Sequence, residues 1–379
     1  MNVAIFTPWY VSDEAIGGTE RFVQDLALSM FDEGYNVDVY MLSGNSYTKN
    51  GVNYISIDLF GKNIVADEYM LFKKYGRFFS DEEYNIFAKE IESKINVDKY
   101  DFLQFNSHLF LKCYEKKNRI FTLHSNYEEF KVLGSDDEFK VMIDIMKNAV
   151  NYNTYFVSPS DYYQNKWENE IGKNIIYIPH ALNKERLICK VDIKKILKKY
   201  NLSNNKIKVL LPSRLEFIQK RPELILDSLE LFDESKRKCF QIIYTGLDEQ
   251  YLENIKILKA KAKDLSIDAR FVKFDNINEA YKTTDIVLIP SKSESFGYSA
   301  LESLSLGIPT ILSDLPSLRE ICNGTNNSFI FNDKYSLYEI LKEFLENKNF
   351  ERKEISNEWI KQYDLSLFAN RYINIYGKK

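Results

Sequence analysis

The sequence has no long hydrophobic run, and its first residues lack the pattern of a secretion signal. A membrane-spanning helix needs roughly 18 or more consecutive apolar residues, and no segment of the 379 residues approaches this. The N-terminal MNVAIFTPWY leads straight into a strand pattern, without the basic region, apolar region and cleavage site of a signal peptide. We therefore expect a cytoplasmic protein that does not cross a bilayer.

Patterns for disulfides and metal ions are also missing. Disulfide frameworks and zinc sites show paired spacings of their ligands, and neither the four cysteines nor the three histidines have them. These residues are Cys113, Cys189, Cys239, Cys322, His108, His124 and His180. We expect no disulfide framework and no metal site.

The chain has no excess of positive charge either. It contains 51 Lys and Arg against 55 Asp and Glu, a net charge of -4, which argues against general attraction to nucleic acid. Any phosphate that it binds must meet a local site. Hydrophobic residues make up 45% and charged residues 28%, as in folded proteins. Because 379 residues exceed one ordinary hydrophobic core, we predict two domains.

Two series of short, apolar, β-branched segments alternate with helical patterns. This alternation predicts an α/β fold with mainly parallel sheets. The first series comprises residues 3–7, 37–42, 102–105, 120–123, 155–158 and 175–178. The second comprises residues 209–211, 241–245, 270–274, 286–289, 310–313 and 328–331.

A polar, lysine-rich stretch separates the two series. We predict an N-terminal domain over residues 1–182 and a C-terminal domain over residues 183–358. Residues 359–379 carry aromatic and aliphatic side chains at helical spacing, so this segment needs an apolar surface. We predict a C-terminal helix there that crosses back onto the first domain.

Residues 68–94 are helical in pattern and rich in aromatic residues and lysines. Aromatic residues at helical spacing most often pack into a core, which favours a helical insert on the first domain. The alternative is a contact with an acceptor or a membrane surface, supported by Lys73, Lys74 and Arg77.

Three segments carry candidate binding chemistry, and the first contains Gly17 and Gly18. These glycines precede a helical pattern, so backbone can approach a ligand closely and the helix N-terminus suits an anion such as a diphosphate. The alternative is a plain strand-to-helix turn capped by Thr19.

The second segment contains Arg214 and Lys220, after the first strand of the second series. Open parallel sheets bind ligands at the carboxyl ends of their strands, where two cations can neutralise a leaving diphosphate. Taken alone, such cations are more often part of a solvated surface.

The third segment is SKSESFGYSALESLSLGIPT, residues 291–310. Glu294 follows a predicted strand, Gly297 permits a tight turn, and Glu302 lies in the helix that follows. Both carboxylates can therefore border one ligand whose phosphates sit at the helix N-terminus, and carboxylates accept hydrogen bonds from sugar hydroxyls. A capped helix with two chance glutamates is the alternative.

This segment resembles the glutamate-Phe-Gly-to-glutamate signature of the retaining glycosyltransferase family four. The resemblance covers nearly the whole chain in order, and implies the GT-B fold, in which two Rossmann-like domains with parallel sheets face an interdomain cleft. The matching features are Gly17–Gly18, His124 in FTLH, the turn IPHALN, Arg214 with Lys220, the glutamate segment and the closing helix.

The resemblance also implies roles for the matching residues. Glu294 would contact hydroxyls of the donor sugar, Glu302 the ribose, and His124 the sugar being transferred. Arg214 and Lys220 would bind the diphosphate, as would the backbone at Gly17 and Gly18. Ser295, Phe296 and Gly297 would complete the donor site.

The implied activity is a retaining transfer from a nucleotide diphosphate sugar to a hydroxyl acceptor, without a metal or another cofactor. The Asp-x-Asp motif of metal-dependent transferases is missing from the sequence. We expect a UDP-sugar ahead of a GDP-sugar as donor. The acceptor is left open among a glycan, a lipid-linked molecule and a small molecule, as in bacterial surface glycan synthesis, and the protein would be cytoplasmic or peripheral at the inner membrane face.

Three positions depart from the family pattern. His180-Ala181-Leu182-Asn183 replaces an Asn-Gly turn, Arg221 follows Lys220 where glycine is frequent, and Asp275 stands where glycine is usual. Two alternatives stay open: another GT-B enzyme such as an epimerase, and a catalytically silent nucleotide-sugar-binding protein on the same fold.

Overall fold

The computed structural model describes residues 1–12, 17–59, 79–128, 136–149, 153–188, 192–347 and 351–377. The chain divides into two compact units. The first comprises Met1–Ala181 together with Tyr363–Lys379, and the second comprises Leu182–Gln362. Among the described residues, no helix has the length and apolar character that spanning a membrane requires.

The first unit contains an eight-stranded sheet in the order β3-β4-β2-β1-β5-β6-β7-β8. All pairs are parallel except β3 with β4. Its strands are β1 Asn2–Thr7, β2 Asn36–Met41, β3 Tyr47–Lys49, β4 Val52–Ser56, β5 Phe102–Phe105, β6 Arg119–Thr122, β7 Thr154–Ser158 and β8 Ile176–Tyr177. The strand order reverses between β1 and β5, so ligands are expected at the carboxyl ends of these two strands.

Four helices with many buried apolar residues accompany these strands. They are α1 Gly18–Asp32, α2 Asp81–Lys94, α3 Asp136–Ala149 and α4 Asp161–Ile171. Helix α2 begins with a capping box in which Ser80 and Glu83 each accept from the other's backbone N–H, the expected geometry of an N-terminus. It accounts for the second half of the segment 68–94, whereas Lys73, Lys74 and Arg77 lie outside the described residues.

The second unit contains a six-stranded, fully parallel sheet in the order β11-β10-β9-β12-β13-β14. Its strands are β9 Ile207–Arg214, β10 Phe240–Gly246, β11 Asp268–Phe271, β12 Ile286–Ile289, β13 Thr310–Ser313 and β14 Ser328–Phe331. Its helices are α5 Lys184–Leu187, α6 Ile193–Lys199, α7 Leu224–Leu229, α8 Glu234–Arg237, α9 Leu252–Asp264, α10 Ile277–Thr283, α11 Tyr298–Ser305, α12 Pro316–Cys322, α13 Lys334–Asn347 and α14 Asn357–Lys361. Here the strand order reverses between β9 and β12.

The predicted α/β class with two series of parallel strands is confirmed. The hairpin of β3 and β4, which extends the first sheet, is not among the predicted strands. Its turn is Asn50-Gly51, with φ of 49° and 80°, and Asn-Gly between two strands is a strong hairpin signal because both positions need positive φ. This signal was present in the sequence.

The C-terminal segment differs from the single helix that we predict over residues 359–379. Two helices form instead, α14 and α15 Leu365–Tyr376, because Asp364 caps a new N-terminus by accepting from the N–H of Ser366. Trp359 donates to the carbonyl of Ile321 in the second unit. Tyr372 of α15 is fully buried in the first unit, with its hydroxyl 2.9 Å from Thr122 Oγ1.

The packing of α15 yields a stability prediction. Tyr372→Ala should lower the free energy of unfolding by about 3–5 kcal/mol, because it leaves a large cavity. Tyr372→Phe should cost about 1 kcal/mol through the lost hydrogen bond. Urea denaturation followed by fluorescence measures both effects. Leu367→Ala on the same helix is the control, since Leu367 is 39% exposed, and equal stability of all three variants would contradict this packing.

Candidate active site

The candidate site of the second unit lies at the carboxyl ends of β9 and β12. These strands are parallel neighbours, with Ile286 paired to Val209 and Val287 to Leu210. The segments that follow them therefore emerge at one edge, where the strand order also reverses. In open parallel sheets this is the place where ligands bind.

A tight turn after β9 is organised by Glu216. Its carboxylate accepts from the N–H groups of Ile218 and Gln219, both at 2.6 Å, and its carbonyl accepts from Lys220 and Arg221. The turn is joined to the loop after β12, because the N–H of Lys292 donates to the carbonyl of Gln219 at 2.7 Å. The two loops thus form one connected edge.

Lys220 and Glu294 meet across these two loops. The distance from Lys220 Nζ to Glu294 Oε1 is 2.7 Å, and their side chains are only 14% and 15% exposed. Ser291 Oγ donates to the same carboxylate oxygen at 2.7 Å, and Ser317 Oγ donates to the carbonyl of Glu294 at 2.6 Å. The structure therefore brings together two residues that the sequence separates by 74 positions.

The segment after Glu294 turns sharply into α11. Gly297 has φ of 115° and ψ of 63°, in the left-handed region, and a Cβ there would come within 2.6 Å of Leu318 Cδ2. Phe296 is buried, with its ring centroid 5.5 Å from that of Tyr298. The backbone conformation thus favours glycine at this turn, and a larger residue would also have to displace the side chain of Leu318.

Glu302 lies within α11 and is 8% exposed. The hydroxyl of Tyr281 donates to its Oε2 at 2.9 Å. The helix is tied to the end of β9, because Ser299 Oγ donates to the carbonyl of Pro212 at 3.1 Å. These contacts place the helix N-terminus at the same sheet edge as Lys220 and Glu294.

Arg214 is exposed at the end of β9, and its Nη2 lies 3.4 Å from Gln219 Oε1. Its neighbour Gly246, which is not among the predicted site residues, pairs with Arg214 where the register between β9 and β10 shifts. A Cβ at Gly246 would collide with the backbone of Ser213 and Arg214. A glycine at the end of a strand was the available signal.

The candidate residues of the first unit follow β1 and β6. Gly17 is the N-cap of α1, with extended backbone. Thr19 lies inside the helix, so the predicted cap at Thr19 is wrong, whereas a plain strand-to-helix turn stays an alternative. The preceding residues 13–16 are outside the described part of the chain.

His124 follows β6 and is held by Asn106, which follows β5. The Asn106 amide group donates to the carbonyl of Phe6 at 3.1 Å, so its Oδ1 faces His124 Nε2 at 3.0 Å and accepts the Nε2 proton. Burial lowers the pKa of His124 to about 3. The imidazole is therefore neutral at physiological pH.

His180 was singled out only as part of a turn, yet it lies beside His124. The ring centroids of the two histidines are 5.4 Å apart, and Phe22 of α1 is 4.5 Å from the ring of His124 and 4.7 Å from that of His180. Burial, and next the neighbouring His124, lower the pKa of His180 well below its usual value. Within the first unit, α1 and both histidines thus form one cluster.

Comparison with solved structures identifies the class of fold. Sucrose-phosphate synthase from Thermosynechococcus elongatus aligns with a TM-score of 0.78 and 15% identity, covering 99% of this chain and 98% of that chain. HepE from Anabaena, solved with UDP and glucose, aligns with a TM-score of 0.73 and 15% identity over 100% and 99% of the two chains. The fold is GT-B, as predicted.

Sequence comparison finds a family model that matches most of the second unit. Residues 192–362 match the model of glycosyl transferases group 1. The O-antigen biosynthesis glycosyltransferase WclY from Escherichia coli is 26% identical over 243 residues, which are 63% of this chain and 62% of WclY, so the match covers less than two thirds of that relative. Residues 192–362 thus carry the similarity to the group 1 glycosyltransferases, and the predicted resemblance to a glycosyltransferase family is confirmed.

The low pKa of His124 predicts a specific pH dependence. A histidine has a pKa of about 6.5 when unfolded, so between pH 6.5 and 3 the unfolded chain binds a proton that the folded site excludes. Stability is therefore complete above pH 6.5 and falls as the pH is lowered. From pH 7 to pH 5 this histidine should account for about 2 kcal/mol of lost unfolding free energy.

Urea denaturation of the wild type and of His124→Gln at both pH values measures this difference. The variant should lose less stability than the wild type on acidification, by roughly that amount. Parallel losses in the two proteins would contradict an imidazole that stays neutral in the folded protein.

Proposed function

We propose that this protein is a retaining, metal-independent glycosyltransferase that moves a sugar from a nucleotide diphosphate donor to a hydroxyl acceptor. The observation that carries the proposal is the Lys220–Glu294 pair at the reversal point of the second sheet. A cation and a carboxylate of low exposure, side by side, suit a donor that presents a diphosphate and sugar hydroxyls together.

Each partner of the pair offers a different interaction to such a donor. Lys220 would bind the diphosphate, with exposed Arg214 adding a second cation, and Glu294 would accept from hydroxyls of the sugar. Charge-assisted hydrogen bonds of this kind contribute roughly 1.5–3 kcal/mol each, and those to the leaving diphosphate strengthen as its negative charge grows. The N-terminus of α11, with Ser295, Phe296 and Gly297, would favour the same charge.

Glu302 would bind the ribose of the donor. Its Oε2 accepts from Tyr281, and a carboxylate has further lone pairs for ribose hydroxyls. Gly17 and Gly18, at the start of α1, would offer backbone N–H groups to the diphosphate.

In the proposed reaction, the bond between the anomeric carbon and the diphosphate oxygen breaks first, giving a short-lived ion pair. The acceptor oxygen then bonds to that carbon on the face that the diphosphate leaves, and its proton passes to the departing phosphate oxygen. No enzymic carboxylate needs to bond to the sugar. His124, with its proton on Nε2, presents Nδ1 as an acceptor for a sugar hydroxyl.

For the donor we propose a UDP-sugar ahead of a GDP-sugar, supported by the structure of HepE with UDP and glucose. Synthesis of a surface glycan is supported by the similarity to WclY. The acceptor would then be a glycan or a lipid-linked molecule, with a small molecule as the alternative. A cytoplasmic protein, peripheral at the inner membrane face, would meet a lipid-linked acceptor.

A donor panel tests the substrate class. Calorimetry and product analysis with UDP-, GDP-, ADP- and dTDP-sugars should find one that binds and is slowly hydrolysed, equally well with and without chelator. Binding that disappears with chelator would overturn metal independence. If no nucleotide sugar binds, the transferase proposal fails; if one binds without any turnover, a silent binding protein is the better reading.

Variants of the ion pair test the residue roles. Lys220→Ala and Glu294→Gln should each lower turnover about a hundredfold or more. The control is Lys208→Ala, since Lys208 forms a comparable pair with Asp285 at 2.8 Å but lies at the opposite, amino end of β9. All three variants lose an ion pair, whereas only the first two should lose activity. A near-normal rate in Lys220→Ala or in Glu294→Gln would contradict the role proposed for the residue that was replaced.

A further inference from the structure

Arg221 stands where the family resemblance leads us to expect a glycine, and its backbone has the conformation that favours glycine. Its φ is 46°, in the left-handed region. A long side chain there carries a steric penalty that glycine avoids. Such strain persists only where surrounding contacts hold it, so the contacts of Arg221 call for a functional explanation.

The side chain of Arg221 makes three hydrogen bonds to neighbouring strand ends. Its Nε donates to the carbonyl of Pro290 at 2.8 Å, and its Nη2 lies 3.3 Å from the carbonyl of Ser291 and 3.2 Å from Ser313 Oγ. Pro290 and Ser291 follow β12, and Ser313 ends β13. One guanidinium thus joins the turn after β9 to the ends of two further strands.

The loop that Arg221 holds is the one that carries Glu294. Ser291, whose carbonyl accepts from Arg221, donates through its hydroxyl to Glu294 Oε1 at 2.7 Å. Lys220, the residue before Arg221, contacts the same carboxylate oxygen. Two adjacent residues therefore act on one loop: Lys220 on the carboxylate, and Arg221 on the backbone three and four residues before it.

We propose that Arg221 is a positioning residue for recognition of the donor sugar. It fixes the loop at residues 290–294, so that Glu294 meets the sugar hydroxyls, and it does not itself bind the diphosphate. Its Nε and Nη2 donors are already engaged by the loop carbonyls of Pro290 and Ser291 and by Ser313 Oγ. This inference rests on the proposed function, because it assigns Arg221 to the sugar and not to the nucleotide of the same donor.

The test compares a nucleotide with its sugar derivative. Calorimetry with UDP and UDP-glucose, or the corresponding pair selected by the donor panel, separates binding of the nucleotide diphosphate from binding of the sugar. Arg221→Gly should bind UDP with an affinity within about twofold of that of the wild type. The factor by which the UDP-sugar binds more tightly than UDP should fall about tenfold in this variant. Arg221→Lys, which keeps one donor group, should recover part of it.

Ser266→Gly is the matched control. Ser266 is exposed, has φ of 55°, and lies in the turn before β11, at the amino end of the sheet. Replacing Ser266 by glycine changes the backbone freedom at a positive-φ position in the same way. The Ser266→Gly protein should therefore bind UDP and the UDP-sugar with wild-type affinity. Equal weakening of UDP and UDP-sugar in Arg221→Gly, or no weakening of either, would overturn the positioning role.

A second readout needs no ligand and keeps the two proposals separable. Hydrogen exchange of the free protein should be faster at residues 291–297 in Arg221→Gly, and unchanged there in Ser266→Gly. If the wild type binds no nucleotide sugar, the proposed function fails, and the exchange result still decides whether Arg221 holds this loop. Unchanged exchange at residues 291–297 in Arg221→Gly would show that Arg221 does not hold this loop.

Discussion

The candidate donor site depends on one constraint, the parallel pairing of β9 with β12 at the point where the strand order reverses. Neighbouring parallel strands end at the same edge, and connections that depart to opposite sides leave an opening between them. Lys220 and Glu294 can approach within 2.7 Å only because their loops flank this opening. Their low exposure makes the pair sensitive to loss of either partner, since the remaining charge would be poorly solvated.

This constraint explains which features could be predicted from the sequence. Strands such as β12, β13 and β14 are short apolar runs, and their predicted bounds agree with the structure. Given parallel strands, residues just after β9 and β12 belong to one edge, so the proximity of Lys220 and Glu294 follows from local pattern and topology. The roles assigned to them stay predictions, since geometry alone does not establish what they bind.

The features that sequence analysis missed depend on contacts between distant segments. The direction of the Arg221 side chain is set by acceptors about 70 and 92 residues away. Gly246 matters because the backbone of Arg214 lies against it. No local periodicity encodes the contacts of Arg221, and for Gly246 the sequence offers only a glycine at the end of a strand. The Asn50-Gly51 hairpin is different, because its signal was local and was overlooked beside the stronger pattern of the parallel strands.

The protonation of His124 limits the chemistry open to it. With a pKa of about 3, its imidazole cannot supply a proton near neutral pH, so a general-acid role for it would conflict with its burial. Asn106 holds the proton on Nε2, which leaves hydrogen-bond acceptance at Nδ1 as the interaction available. Such a group suits binding of a sugar hydroxyl. The reaction would then depend on the cations Lys220 and Arg214 at the leaving group, and the acceptor's proton would have to leave with the phosphate.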